Sequence, residues 1–341
     1  MNTLRRWGRK IRSGYRRVID YASYAWTFLP HPGPVIEQLP GAEDLAGATR
    51  IAVFSHYDKD GEVRAYVRHY VRELREAGCS IVFVTTGPRM SGDTLAWLTE
   101  NCALIIRRRN VGLDFGSYRD GLRAIPDLSR LERLVLANDS VYGPFTNLAT
   151  IVDKMDFGAI DAWGTTDSWE RRYHIQSYFI VFGSRALRSD AFRRFWNGVR
   201  DVRSKRFIIT NYEVGLTRAL MKAGLRARAV YPCRAAAEAF VRDVRERNIL
   251  NDRSLSVPER TYLRQLFGLI IHGVPVNTIH FFWEYLIREM GCPFMKRELL
   301  RDNPGQIPFL QYWERVISES SDYDTDLIIQ DLEVSLHNRS I

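Results

Sequence analysis

Hydrogen-bonding side chains are clustered at three places in this 341-residue sequence, each shortly after an apolar run. The clusters are His56 and Tyr57, then Asn110, Gly112, Asp114 and Tyr118, and then Asn138, Asp139 and Ser140. Carboxylate and amide groups bond hydroxyls, and a glycine lets the backbone approach a ligand closely. We therefore predict that these residues line a site for a polar ligand rich in hydroxyl groups.

Short apolar runs alternate with amphipathic stretches between residues 51 and 137. The predicted strands are 51–54, 80–85, 103–106 and 133–137, and the predicted helices are 62–77, 91–101 and 117–124. This alternation predicts an α/β fold with a mainly parallel central sheet and right-handed crossovers. Ligands of such sheets bind beyond the carboxyl ends of the strands, where the three clusters lie. No Gly-x-Gly-x-x-Gly or Walker A motif occurs, which argues against the dinucleotide-binding and P-loop classes.

A further group of candidate residues comes from the middle of the chain. If a strand continues from residue 174 to 182, alternation places His174, Gln176 and Tyr178 on one face, where they suit a polyol ligand. The alternative is that these side chains pair within the core. Glu213 directly precedes a predicted amphipathic helix over residues 214–223. A carboxylate there either serves the chemistry of the site or only stabilises the helix dipole.

Several motifs follow one another in a set order along the chain. They are Asn110-x-Gly112-x-Asp114-Phe115-Gly116-Ser117-Tyr118, Asn138-Asp139-Ser140-x-Tyr142-Gly143-Pro144, Trp163-Gly164, His174-x-Gln176-Ser177-Tyr178-Phe179, Tyr212-Glu213-x-Gly215-Leu216-Thr217, Trp283-x-x-Leu286-Ile287 and Pro293-Phe294-x-Lys296. Over roughly residues 50 to 305, this series resembles the rhamnan synthesis protein F family. The resemblance implies a single Rossmann-like domain of the A-type glycosyltransferase (GT-A) fold, with helical N- and C-terminal extensions.

The resemblance implies an inverting glycosyltransferase of bacterial polysaccharide assembly, and it suggests L-rhamnose transfer from dTDP-rhamnose to a lipid-linked or polysaccharide acceptor. Glu213 is expected to be the general base, and Asp114 is the second catalytic candidate. The residues expected to bind the nucleotide sugar are His56, Tyr57, Asn110, Gly112, Asp114, Tyr118, Asn138, Asp139, Ser140, Trp163, His174, Gln176, Ser177 and Tyr178. A catalytically silent sugar-nucleotide or glycan-binding subunit of a synthase complex is the alternative function.

Asn138-Asp139-Ser140 occupies the place where A-type transferases commonly carry an Asp-x-Asp motif that binds a divalent cation. The resemblance therefore implies Mg²⁺ or Mn²⁺ at Asp139, and it makes His280 a candidate late metal ligand or phosphate contact. The alternative for His280 is a histidine whose hydrogen bonds are satisfied within the core. One carboxylate makes a weaker metal site than two, and two alternatives stay open. Asp139 caps a turn, or the phosphates are covered without metal by basic side chains, for which Lys296, Arg297 and Arg301 are candidates.

The net charge of +9 is concentrated at one end of the chain, because residues 1–17 hold seven Lys or Arg and no acid. Apolar residues recur there at helical spacing, at Leu4, Trp7, Ile11, Tyr15, Val18 and Tyr21. We predict that this amphipathic arm lies on an anionic membrane surface, the alternative being a helix packed on its own domain. The body carries no basic stripe with interleaved aromatics, which argues against a nucleic-acid partner.

The composition and the positions of proline and glycine residues suggest four segments. They are an arm over 1–34, a GT-A-like nucleotide-sugar-binding and catalytic domain over 50–235, a helical part over 236–316 on the acceptor side, and a solvated acidic tail over 317–341. The four cysteines are widely spaced, which argues against disulfides and zinc and fits a reducing cytoplasm. No apolar run reaches a membrane-spanning length. We expect a cytoplasmic protein attached to the inner face of the plasma membrane.

Overall fold

A nine-stranded sheet forms the centre of the computed structural model, which describes residues 20–29 and 32–336. The strands run in the spatial order β1-β4-β3-β2-β5-β9-β7-β10, and β8 pairs with β7. Their bounds are β1 Val35–Pro40, β2 Arg50–His56, β3 Ser80–Thr85, β4 Leu104–Arg108, β5 Arg133–Asn138, β7 Ala162–Ser168, β8 His174–Ile175, β9 Phe179–Gly183 and β10 Ala227–Tyr231. A separate two-stranded sheet joins β6 (Val141–Tyr142) to β11 (Met295–Lys296).

The central sheet is mainly parallel, which confirms the predicted α/β class. Strands β2, β3, β4 and β5 pair in parallel with one another, and β7 pairs in parallel with β10. Strand β9 runs antiparallel between β5 and β7, because the short segment from β7 to β9 leaves no room for a helical crossover. The antiparallel edge strand β1, which covers β4, was not predicted.

Helices cover both faces of this sheet. Along β2, Ala52 and Phe54 face one apolar core, and Ile51 and Val53 face the other. The helices are α1 residues 20–26, α2 Ala65–Glu76, α3 Gly92–Asn101, α4 Leu113–Ala124, α5 Leu148–Asp153, α6 Ser184–Leu187, α7 Asp190–Gly198, α8 Lys205–Ile208, α9 Val214–Lys222, α10 Cys233–Glu246, α11 Val257–Ile271, α12 Thr278–Phe281, α13 Trp283–Arg288, α14 Arg297–Asp302, α15 Trp313–Ser320 and α16 Asp326–Leu336. Short 3₁₀ turns lie at Leu128–Arg130, Ile249–Asn251 and Pro308–Tyr312.

Helix α4 begins at Leu113, four residues earlier than predicted. Gly112 makes this early start possible, because it adopts φ 79° at the N-cap. A Cβ atom at this position would also lie 2.8 Å from Oδ1 of Asp201. The early start places Asp114 in the first turn of the helix, at the edge of the sheet where β2 and β5 end.

One local prediction about the middle of the chain is wrong, and a second is confirmed in its bounds but differs in its surroundings. The predicted strand over residues 174–182 is broken into β8 and β9, so Gln176, Ser177 and Tyr178 lie in the connection between them. Glu213 directly precedes α9 (Val214–Lys222), as predicted, but it does not begin a new helical segment. It ends a π-helical turn, Ile209–Glu213, that joins α8 to α9 in one continuous helical segment.

The predicted solvated tail is also wrong for the part that the structure describes. Residues Asp326–Leu336 form α16, which packs against α2 and α14. Asp331 on this helix is only 4% exposed, because its carboxylate bonds Arg297 and Tyr142. The acidic composition of this segment therefore did not indicate that one of its carboxylates is buried with two specific partners.

The N-terminal arm is described only over residues 20–29, so the predicted helical face from Leu4 to Val18 lies outside the described residues. Within the described part, Asp20 pairs with Arg206, and the ring of Tyr24 stacks on Phe207 at 5.1 Å between centroids. Trp26 and Phe28 remain 64% and 59% exposed. Across residues 20–29 and 32–336, no helix is long and apolar enough to cross a bilayer.

Candidate functional site

A cavity of about 1160 Å³ opens beyond the carboxyl ends of β2 and β5. This is the sheet edge at which parallel α/β sheets bind their ligands. Ten of the residues predicted from the sequence line the cavity, namely Tyr57, Asp114, Asn138, Asp139, Ser140, Gln176, Ser177, Tyr178, Glu213 and His280. The three basic candidates Lys296, Arg297 and Arg301 line it as well.

Asn138, at the end of β5, holds two of the predicted residues in place. Its Nδ2 donates to Oδ2 of Asp114 at 2.9 Å, and its Oδ1 accepts from the backbone N–H of Ser140 at 3.1 Å and from the Ser140 hydroxyl at 2.5 Å. The hydroxyl of Ser55 lies 3.5 Å from Oδ1 of Asp114. This arrangement ties the start of α4 to the ends of β2 and β5.

Asp114 and Asp139 are two carboxyl groups with a raised affinity for protons. Burial is the main cause for both, and it raises the pKa of each to about 6. The negative charge of Asp139 raises the pKa of Asp114 further, whereas Lys296 opposes that shift. The positive charge of Arg297 opposes the rise in the pKa of Asp139. Oδ2 of Asp139 also accepts a hydrogen bond from the backbone N–H of Tyr57 at 3.2 Å, which opposes the rise as well.

The basic side chains reach the cavity through the small sheet formed by β6 and β11. Lys296 pairs with Val141 in this sheet, which brings the C-terminal part of the chain beside the loop after β5. Its Nζ donates to the Ser140 hydroxyl at 2.8 Å and lies 4.7 Å from the ring centre of Tyr178. Burial lowers the pKa of Lys296, while Glu213, Asp114 and Glu298 raise it.

Arg297 is held by partners from α16, α2, β6 and the loop after β5. Its Nη2 lies 2.9 Å from Oδ2 of Asp331, and its Nη1 lies 3.6 Å from Oδ2 of Asp139. The guanidinium also stacks over Tyr66 and Tyr142, at 4.7 and 5.7 Å from their ring centres. Arg297 therefore joins α16 to the loop after β5, and most of its hydrogen-bonding capacity is taken up by protein.

Glu213 enters the cavity from the π-helical turn Ile209–Glu213. Its Oε1 accepts two hydrogen bonds from Ser177, one from the backbone N–H and one from the hydroxyl, both at 2.9 Å. The Ser177 carbonyl in turn accepts the hydroxyl of Tyr118 at 2.9 Å. The break between β8 and β9 and the π turn thus meet at one carboxylate. Neither irregularity is visible in hydrophobic periodicity.

Six of the predicted binding residues do not line the cavity. They are His56, Asn110, Gly112, Tyr118, Trp163 and His174. Four of their side chains are engaged within the protein. His56 pairs with Thr85, Tyr118 with the Ser177 carbonyl, Trp163 with the Asp156 carbonyl and His174 with the Arg172 carbonyl. Gly112 serves the start of α4, and Asn110 is exposed outside the cavity.

Lys205 and Asp331 line the cavity but were not singled out from the sequence. Lys205 follows Ser204, which caps α8, and nothing in the surrounding pattern distinguishes it from an ordinary surface lysine. The signal for Asp331 was available in principle, since it is an acid inside a run of apolar residues, Leu327, Ile328, Ile329 and Leu332. An acid on the apolar face of a helix suggests a buried partner.

The predicted cation ligands, Asp139 and His280, do not form a metal site that fits Mg²⁺ or Mn²⁺ well. Among the described residues, no group of three or more His, Cys, Asp or Glu is arranged to hold a metal ion. Asp139 already faces Arg297, and the amide of Asn138, in place of a first carboxylate, is bonded to Asp114 and Ser140. Hard divalent cations need several free oxygen ligands. The cation therefore stays a prediction.

The fold and cavity define an α/β protein with a polar, mixed-charge site at the carboxyl edge of a mainly parallel sheet. Residues 81–250 match the family described as Rhamnan synthesis protein F. The chain is also 30% identical over 282 residues to Virulence protein VirA of Vibrio anguillarum, an alignment that covers 81% of this chain and 87% of that protein. The chain belongs to the rhamnan synthesis protein F family.

Solved structures show weaker similarity to this chain. The glycosyltransferase GlyE of Streptococcus pneumoniae aligns with a TM-score of 0.34 and 11% identity, over 68% of this chain and 66% of that one. The galactosyltransferase LgtC, solved with donor and acceptor sugar analogues, aligns with a TM-score of 0.32 and 16% identity, over 52% of this chain and 72% of that one. These similarities are too distant to add evidence about the fold, which the topology of the sheet establishes by itself.

Proposed function

We propose that this protein is a glycosyltransferase that moves a sugar from a nucleoside diphosphate sugar to a hydroxyl of a bacterial surface polysaccharide. The observation that carries the proposal is the presence of Glu213 and Lys296 in one cavity. Glycosyl transfer needs a base for the acceptor hydroxyl and a cation for the departing diphosphate. Membership in the rhamnan synthesis protein F family supports the same reading.

In this mechanism, the acceptor oxygen attacks the anomeric carbon from the side opposite the diphosphate. The acceptor proton passes to Glu213, and the bond between the anomeric carbon and the phosphate oxygen breaks. Its electron pair leaves on the diphosphate, whose charge Lys296 stabilises. Ser177 fixes Oε1 of Glu213 with two hydrogen bonds, so the carboxylate is oriented before the acceptor arrives. We assign Asp114, which lines the same cavity, the role of accepting a hydrogen bond from a donor hydroxyl.

The finer features of the proposal come from the family resemblance and the N-terminal sequence. The donor is L-rhamnose carried on dTDP, and the acceptor is a lipid-linked glycan. The lipid-linked acceptor places the reaction at the inner face of the plasma membrane. The seven basic residues within 1–17, together with the exposed Trp26 and Phe28, support attachment to that surface.

A panel of sugar nucleotides, incubated with the purified protein and glycan acceptors, tests the activity. We expect nucleotide release from dTDP-rhamnose that depends on the acceptor, and a product of increased mass. Tight donor binding without release from any sugar nucleotide would instead identify a silent binding subunit. Nucleotide release from a different sugar nucleotide would support glycosyl transfer as the class of reaction but would show that the donor is not dTDP-rhamnose.

A further inference from the structure

Three nitrogen-bearing side chains converge on the cavity from separate parts of the chain. Lys205 comes from the start of α8, His280 from α12 and Lys296 from β11. Lys205 is exposed, while His280 is only 9% exposed, so the group extends from the cavity mouth into its wall. We call these residues the Lys–His–Lys cluster.

Two members of the cluster, Lys205 and Lys296, are basic side chains in a cavity that is also lined by Glu213, Asp114 and Glu298. Burial and then the charge of Lys296 lower the pKa of His280 to about 4, with Lys205 adding to the effect and Glu298 opposing it. The Nε2 of His280 is 4.0 Å from Oε2 of Glu298. Burial and the charge of Lys205 lower the pKa of Lys296. The carboxylates of Glu213, Asp114 and Glu298 raise it. Two like charges in one cavity repel each other, and an anion bound between them relieves that repulsion.

The charges of Lys296 and Lys205, both of which act on His280, disfavour a divalent cation at this imidazole. Any metal bound by this imidazole would lie close to the ammonium groups of Lys296 and Lys205. Asp139, the other predicted ligand, faces Arg297 at 3.6 Å and cannot offer its full charge to a metal. The repulsion from the surrounding basic groups therefore opposes binding of a divalent cation.

We propose that the Lys–His–Lys cluster binds the diphosphate of the sugar nucleotide directly, without a divalent cation. Lys205 and Lys296 supply positive charge, and a ring N–H of His280, which lines the same cavity, donates one hydrogen bond to a phosphate oxygen. The Ser140 hydroxyl, 2.8 Å from Nζ of Lys296, keeps that ammonium group turned toward the loop after β5. The inference rests on the proposed function, because it assigns the diphosphate of that donor to a place in the cavity.

Equilibrium binding of dTDP, measured by titration calorimetry, tests this proposal without reference to turnover. We expect the same affinity in excess EDTA and in MgCl₂, and competition by inorganic pyrophosphate. Lys296→Ala and Lys205→Ala should each weaken binding by roughly tenfold or more, because a charged hydrogen bond to phosphate is lost. Lys222→Ala, at an exposed lysine at the end of α9, is the matched control and should bind normally.

Binding that disappears in EDTA, or that is unchanged in both lysine variants, would overturn the inference. Lys296→Arg keeps a positive charge and should retain most of the affinity, which guards against a folding defect in the alanine variant. The two proposals also fail separately. Metal-independent dTDP binding without sugar transfer to any acceptor would refute the function and keep the site. Transfer that requires Mg²⁺, with no dTDP binding in EDTA, would refute the site and keep the function.

Discussion

At the scale of single residues, the site depends on how one carboxylate is held. Both hydrogen bonds from Ser177 go to Oε1 of Glu213, so Oε2 is the oxygen that they leave to an acceptor hydroxyl. A carboxylate that is fixed by one oxygen can accept a proton on the other without moving. The geometry therefore favours a base over a carboxylate that only stabilises the start of a helix.

Replacing Glu213 with Gln tests the base directly. The amide keeps the size of the side chain and still accepts the Ser177 bonds, but it cannot take the acceptor proton. We expect kcat to fall by at least about a hundredfold, with donor affinity nearly unchanged. Glu246→Gln, at an exposed position on α10, serves as the control. A folded Glu213→Gln protein with normal turnover would remove the base assignment and make Asp114 the next candidate.

Asp114 gives the protein a pH dependence with a definite sign. Its folded pKa of about 6 lies above the ordinary value of 3.8, so the folded state holds the proton more tightly than the unfolded state does. Stability is therefore lost as the pH rises from about 4 to about 6, by up to roughly 1.4 kcal/mol per pH unit. Asp114→Asn has no such group. Melting temperatures across this range should shift in favour of the variant as the pH rises, and a constant difference would contradict the assigned burial.

At the scale of elements, the regular parts of the fold could be predicted and the irregular parts could not. Alternating strand and helix patterns located β2 to β5 and α2 to α4 within a few residues, because one period dominates each element. The π turn at Ile209–Glu213 and the break between β8 and β9 contact each other although they are distant in sequence. Those contacts, such as Ser177 with Glu213, leave no periodic signal in either segment.

Helix α16 is fixed to the rest of the fold through Asp331, which is buried against Arg297 and Tyr142. Removing one partner of a buried ion pair leaves an uncompensated charge, at a cost of about 3–5 kcal/mol. We expect Asp331→Ala to lower the free energy of unfolding by about that amount. Glu333→Ala, at an exposed position on the same helix, should change it by less than about 0.5 kcal/mol. Equal denaturation midpoints for the two variants would show that Asp331 does not stabilise the fold.

At the scale of the whole molecule, residues 20–29, the part of the N-terminal arm that the structure describes, lie next to the cavity. Tyr24 on α1 stacks on Phe207 of α8, the helix that begins with Lys205 of the cavity. An arm attached to a membrane would therefore hold the cavity close to the lipid surface. This proximity agrees with the proposed lipid-linked acceptor, whose sugar end must reach Glu213.

Vesicle binding tests the attachment. Because the basic charge lies in residues 1–17, deletion of residues 1–29 should abolish co-sedimentation with anionic vesicles. Binding of the full chain should fall as salt rises, since screening shortens to about 8 Å at physiological ionic strength. The deletion must stop before Val35, because β1 covers the edge of β4. A shorter deletion, of residues 1–19, separates the basic segment from Trp26 and Phe28. Equal sedimentation of all three proteins would exclude the attachment.

The bond between Tyr142 and Asp331 also governs when the site is completed during synthesis. Its two residues are 189 positions apart, yet the hydroxyl of Tyr142 donates to Oδ2 of Asp331 at 2.6 Å. At about 5–20 residues per second, the ribosome needs roughly 10 to 40 seconds to travel from one to the other. Throughout that interval, the hydroxyl of Tyr142 has no Asp331 carboxylate to bond. The nascent protein therefore has a late step, the docking of α16, before which the cavity lacks one wall.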